Sequence, residues 1–158
     1  MSTVSRTGDG PGIRVIPPLL YVVGFVIGYG LEFVWPVVDG SWTWSEAGGI
    51  VLICLSFLLV GPAIWRFRRA STPFDVRKPA TALIKDGPYQ HSRNPGYLAL
   101  TLFYLGVVFL VESVWACVLL IPILVIMTYA VIKKEEAHLE NVFGEEYRLY
   151  KSQVRRWV

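Results

Sequence analysis

Charge is scarce in this 158-residue chain: Asp, Glu, Lys and Arg make up 17% of it, against about 25% in an average soluble domain. Apolar residues reach 54% and the mean hydropathy is +0.49. That balance excludes a disordered chain, a solvated helical array and an ordinary soluble globule. Cysteine is nearly missing too. Cys54 and Cys117 each sit inside an apolar run, which excludes a disulfide scaffold or a Cys-based zinc site and reads as two small buried hydrophobes. Two histidines, His91 and His138, are too few for a typical His-rich centre, so no metal is expected. No internal repeat or low-complexity segment is visible, and the length suits one domain.

What is present is apolar sequence in long runs. Four stand out, from about Ile13 to Val38, Ala47 to Trp65, Pro95 to Val111 and Ser113 to Ile132. Crossing a hydrocarbon core takes roughly 20 apolar residues, because about 1.5 Å per residue must cover about 30 Å. The third run is short and the other three qualify. Only Glu112 and Ser113 separate the third from the fourth, which predicts a tight helical hairpin. The first run is too long to be the core of a cleaved signal. The expected fold is all-α: a polytopic membrane bundle of about four transmembrane helices with a C-terminal amphipathic helix.

Lys and Arg set the orientation. The stretch from Asp39 to Glu46 has none, whereas Arg66, Arg68, Arg69, Arg77, Lys78, Lys85 and Arg93 crowd the middle connection and six more follow the fourth run. By the positive-inside rule both termini and the middle loop face the cytoplasm. Trp35, Trp42, Trp44 and Trp115 then fall near the outer interface, Trp65 and Trp157 near the inner one. Pro17-Pro18, Gly61-Pro62 and Pro122 should end or kink helices. Glu32, the one carboxylate inside an apolar run, reads as an acid snorkelling to the interface, with a functional buried acid as the alternative.

Polar information concentrates in two cytoplasmic segments. In the first, Asp86-Gly87-Pro88 signals a turn, and Asn94-Pro95 signals a helix start with Asn as N-cap and Pro at the first helical position. Beside Arg93, the backbone N–H groups of that helix end attract a carboxylate or phosphate; anionic lipid headgroups are an alternative occupant. The second segment extends the fourth helix, placing Glu135 and Glu136 about one turn beyond the interface. Gly144 ends this helix. Tyr147, Tyr150, Val154 and Trp157 then recur at helical spacing and give one apolar face, suited to lie on the membrane or cap the loops. The acid pair is either a solvated face or a contact for a ligand's ammonium or ribose hydroxyls. Tyr89 and Tyr97 offer ring faces for an adenine or a sulfonium.

Gly87-Pro88-Tyr89, Arg93-Asn94-Pro95-x-Tyr97, Glu135-Glu136, Phe143-Gly144-Glu145-Glu146-Tyr147, Tyr150 and Val154-Arg155-Arg156-Trp157 resemble the membrane isoprenylcysteine carboxyl methyltransferases and their bacterial relatives, which are akin to phospholipid methyltransferases. The resemblance covers Thr72 to the end. It implies a single membrane methyltransferase domain over residues 1–158, with an N-terminal helical pair at 13–65 and a cofactor-binding part at 72–158. It further implies S-adenosylmethionine as methyl donor, lined by Thr81, Ala82, Leu83, Ile84, Tyr89, Asn94, Pro95, Gly96 and Tyr97. Glu135 is then the acidic cofactor contact, supported by Arg93 and Glu136. The implied acceptor is a lipophilic small molecule entering from the bilayer, methylated on a carboxylate or other nucleophile; membrane lipids are the other partners and nucleic acid is not one. The bacterial relatives point to a bacterial or archaeal cell membrane. Many eukaryotic members carry His where this chain has Asn94. The prenylcysteine enzymes place a substrate-binding Arg at the position of Val131, so that contact is missing here. Two other readings remain: a nicotinamide-dependent membrane sterol-type reductase holding phosphates at Arg93-Asn94-Pro95 and Arg155-Arg156, and a non-enzymatic lipid-binding scaffold.

Overall fold

The long apolar runs form helices throughout the computed structural model, which describes residues 10–37, 45–75 and 77–158. All regular structure among the described residues is helical. α1 (Pro17–Val34) opens on the Pro pair and α2 (Ser45–Arg69) closes on arginines. After a 3-10 turn at Gly87–Gln90 come α3 (Pro95–Leu110) and α4 (Val114–Ile126). α4 runs through a π-helical stretch, Met127–Ile132, into α5 (Lys133–Phe143), and α6 (Glu145–Gln153) follows. Three helical stretches are long and apolar enough to cross a membrane: α1, α2 and the continuous helix from Val114 to Phe143, whose apolar part ends at Ile132. α3 has 16 residues, about 24 Å of helix, short of a hydrocarbon thickness of about 30 Å.

The turn between α3 and α4 is as short as expected, with Glu112 at φ +53°. The two helices nevertheless do not pack chiefly on each other: α3 lies along α2 and α4 along α1. Small residues explain the choice, since in lipid close backbone approach replaces hydrophobic attraction as the source of helix association. A methyl group built on Gly49 would lie 2.8 Å from the Gly106 carbonyl oxygen, and one on Gly28 would collide with the Ala116 backbone. Hydrogen bonds tie the pairs together. Tyr21 Oη lies 2.8 Å from Thr101 Oγ1, joining α1 to α3, and the Tyr104 hydroxyl donates to the Ala116 carbonyl at 2.7 Å, joining α3 to α4. Leu19, Val22, Val26, Leu58, Ile121 and Val125 face outward, as a lipid-facing surface requires.

Several expectations are corrected. Cys54 and Cys117 are exposed on the outer surface of the bundle rather than buried; a small thiol on an apolar helix face suits lipid as well as a core. Pro62 and Pro122 lie inside α2 and α4 without ending them. Trp42 and Trp44 lie outside the described residues. Glu32 neither snorkels freely nor lines a cavity. Its Oε2 accepts from Ser113 Oγ at 3.0 Å and from the Trp115 N–H at 3.3 Å, and its Oε1 accepts from the Val37 N–H at 2.9 Å. It caps the N-terminus of α4, where the helix dipole and orphan N–H groups favour an anion. Glu32→Ala should therefore destabilise the bundle by about 2 kcal/mol, read as a lower melting temperature in detergent. An unchanged melting temperature would contradict the capping role.

Candidate functional site

At the end of the bundle that carries the basic residues, the chain's C-terminus is fastened to the start of α3. Glu136, 6% exposed, accepts from Arg156 twice, Nε to Oε1 at 3.0 Å and Nη2 to Oε2 at 2.8 Å. This forked geometry is the strong form of an ion pair. Arg93 Nη1 lies 3.1 Å from the same Oε1, off the line of a hydrogen bond. Backbone bonds complete the seam. The Arg93 N–H donates to the Arg155 carbonyl at 2.9 Å, Asn94 Nδ2 to the Arg156 carbonyl at 2.9 Å and the Tyr150 hydroxyl to the Tyr89 carbonyl at 2.7 Å. Gly144, at φ +54°, makes the corner between α5 and α6 that brings this tail back.

Two adjoining cavities open beside the seam. The larger, about 600 Å³, lies between the start of α1 (Ile16, Pro17, Pro18), α2 (Ser56, Phe57, Val60) and α3 (Gly96, Leu100, Phe103), within the usual range of about 300–1,000 Å³ for small-molecule sites. The smaller, about 60 Å³, lies between the 80–84 segment, α5 and α6. Phe67, Phe74, Tyr89, Arg93, Asn94 and Glu135 border both. At this junction the Tyr97 hydroxyl donates to Glu135 Oε2 at 2.7 Å.

The electrostatics of the junction follow from burial. Glu135 is pushed up to about 7 by desolvation, against the Tyr97 hydrogen bond and with the charge of Glu136 adding to the rise. It can hold or release a proton near neutrality and would gain from a cation beside it. Burial likewise raises Tyr89 and Tyr150, and pushes Tyr147 up to about 12, so all three remain neutral hydroxyls. Arg93 Nε and Nη1 are buried without a hydrogen-bond partner, an arrangement that native proteins rarely leave unused. Asn94 occupies the N-cap position of α3, but its side chain turns to the Arg156 carbonyl instead of capping. The first turn of α3 thus has no side-chain cap beside a guanidinium that is ion-paired with Glu136 yet makes no hydrogen bond through its buried Nε. That combination suits a carboxylate or phosphate.

The structure brings together most of the residues singled out from sequence. Ala82, Leu83, Ile84 and Glu136 line the smaller cavity, Gly96 and Tyr97 the larger, and Tyr89, Arg93, Asn94 and Glu135 both. Thr81 lines neither: it is exposed, and its N–H donates to Thr72 Oγ1 at 3.1 Å. Pro95 is fully buried under the helix start, where fixing φ is its role. Val131 is buried in the core and touches neither cavity. The C-terminal helix stops at Gln153, so Val154, which is extended, and Trp157 lie outside it and do not continue the same helical face. Tyr147 and Tyr150 are buried against the seam. Sequence reasoning missed the α2 wall, Phe67, Phe74 and His138. The π-helical stretch had no sequence signal either; it shifts register just before the acid pair, as such insertions do at functional sites.

A helical bundle with outward apolar faces and a polar junction between two cavities at one end has the form of a membrane protein. The family model for phospholipid methyltransferases matches residues 44–146, and the chain belongs to that family. It is a membrane methyltransferase. A protein of Haemophilus influenzae, described as uncharacterized, is 37% identical over 62 residues, which cover 39% of this chain and 98% of that protein. No solved structure matches the chain.

Breaking the seam tests its weight. Arg156→Ala leaves the buried Glu136 carboxylate with only the misaligned Arg93 and should destabilise the protein by about 2 kcal/mol. Combined with Glu136→Gln, the losses should fall short of their sum by about 1 kcal/mol, the signature of a shared interaction. Additive losses in detergent melting would contradict the assignment.

Proposed function

We propose that this chain transfers the methyl group of S-adenosylmethionine to a nucleophilic atom on the polar head of a lipophilic acceptor, at the junction of the two cavities. The observation that carries the reading is Glu135, which borders both cavities and accepts from Tyr97 in the larger one, with Arg93, whose buried Nε makes no hydrogen bond, beside the uncapped start of α3. The family supports methyl transfer. When bound, the donor supplies an electrophilic methyl group on a sulfonium.

The residues present fit that group. Glu135 offers a negative charge to the cation and Tyr97 holds its orientation. Arg93 and the first-turn N–H groups of α3 suit the donor's carboxylate. Tyr147 and Tyr150 of the tail wall the smaller cavity, and shielding a site from water favours displacement of a charged group by desolvation and alignment. With the donor held there, an acceptor's nucleophile would form its new bond to the methyl carbon as the carbon–sulfur bond broke, its electron pair passing to sulfur. An ionised carboxylate acceptor needs no base; an amine acceptor would give its proton to Glu135, whose pKa near 7 suits the task. The apolar groove between α1, α2 and α3 supports an acceptor with a hydrophobic body. The basic end faces the cytoplasm on this reading, with α3 as a fourth, short span.

Because ligand charge competes with the proton on Glu135, S-adenosylmethionine should bind about tenfold more tightly at pH 8 than at pH 6, the ratio of ionised fractions for a group titrating at about 7. Titration calorimetry in detergent measures it, and Glu135→Gln should flatten the dependence. A wild-type affinity independent of pH would remove Glu135 from the donor site; no binding by folded protein would remove the donor. Incubating labelled donor with lipid extracts should label a product that partitions into the apolar phase, and label confined to water-soluble products would contradict the acceptor class.

A further inference from the structure

One buried polar atom at the site has no role so far. His138 Nε2 lies in the wall of the smaller cavity with no hydrogen-bond partner among the described residues. Burial pushes the imidazole's pKa down, so the ring stays neutral and Nε2 makes one bond, as donor or acceptor. Ala82, Leu83, Ile84 and Leu139 give this cavity an apolar stretch of wall, and Arg93, Asn94, Glu135 and Glu136 line it as well. A cavity that sets an apolar stretch of wall beside an unpartnered ring nitrogen complements a flat heteroaromatic ring, whose faces are apolar and whose edge carries nitrogen.

The arrangement of the cavities indicates which ring that is. An acceptor with a hydrophobic body fits only the larger cavity, which lies against α1, α2 and α3. The donor's sulfur must meet it where the cavities join, at Glu135 and Tyr97. The rest of the donor then extends away from the groove, into the slot between the 82–84 segment and α5. We propose that His138 is a specificity-determining residue whose Nε2 hydrogen-bonds the edge of the donor's adenine in this slot. The inference rests on the methyl-donor reading above and adds the residue that distinguishes adenine from other bases.

S-Adenosylhomocysteine carries the same base and is a convenient probe. Titrated against the full-length protein in detergent, His138→Ala should bind it about tenfold more weakly than wild type, and His138→Gln should recover part of the loss. A second measurement needs no variant. Among the 1-deaza, 3-deaza, 7-deaza and 6-deamino analogues, one should bind wild type about tenfold more weakly than the parent. The same analogue should not distinguish wild type from His138→Ala. If His138→Ala keeps wild-type affinity, or all four analogues match the parent on wild type, the proposal is overturned while the donor reading stands. If wild type binds no S-adenosylhomocysteine, both fall.

Discussion

The forked bond between Glu136 and Arg156 is the constraint on which the rest of the site depends. A carboxylate buried beyond the end of an apolar helix is costly unless it is paired, and here its pairing draws the last residues of the chain across the start of α3. The backbone bonds to Arg155 and Arg156 follow from that placement. So does the position of Tyr150 over the Tyr89 carbonyl. Without the fork the smaller cavity would lose a wall, since Tyr147 and Tyr150 border it from α6. The adjacent acid has the opposite fate. Glu136 is satisfied by arginine, whereas Glu135 has a tyrosine hydroxyl and a raised pKa. Two neighbouring glutamates thus divide into one that fastens the tail and one that borders both cavities without an arginine partner.

The membrane part serves this end by how its helices are paired. α2 and α3 touch where Gly49 and Gly106 allow it, toward the end away from the site, and bulky side chains hold the groove open nearer the junction. α1 and α4 close on each other at Gly28 and Ala116 in the same way. Glu32 adds a polar fastening at the turn end, where α4 begins. Close contact at one end leaves a groove open at the other, next to the polar junction at the basic end.

Much of this was legible in the sequence. Apolar run lengths gave the helices, Pro95 the start of α3 and Gly144 the corner before α6, because each rests on local chemistry. The two short motifs at 87–97 and 135–157 marked the site. Their union did not follow from local pattern: nothing in the sequence says that Arg156 reaches Glu136, or that Asn94 abandons its cap for the Arg156 carbonyl. Helix pairing was equally hidden, since a two-residue turn suggests a hairpin and only tertiary packing of the small residues shows otherwise. Glu32 was visible as an oddity, but its role depended on where α4 begins in space. The α2 wall of the groove carries no signal because Ser56, Phe57 and Val60 look like any other membrane helix residues.

A structure with S-adenosylhomocysteine bound tests most directly whether the junction at Glu135 holds the methyl donor. The ligand's sulfur should lie at the junction, within about 6 Å of the Glu135 carboxylate, the range over which a sulfonium there would be stabilised. The tail should be closed over it by Arg156 and Glu136. A ligand seated elsewhere, or a sulfur directed away from Glu135 and Tyr97, would contradict that placement.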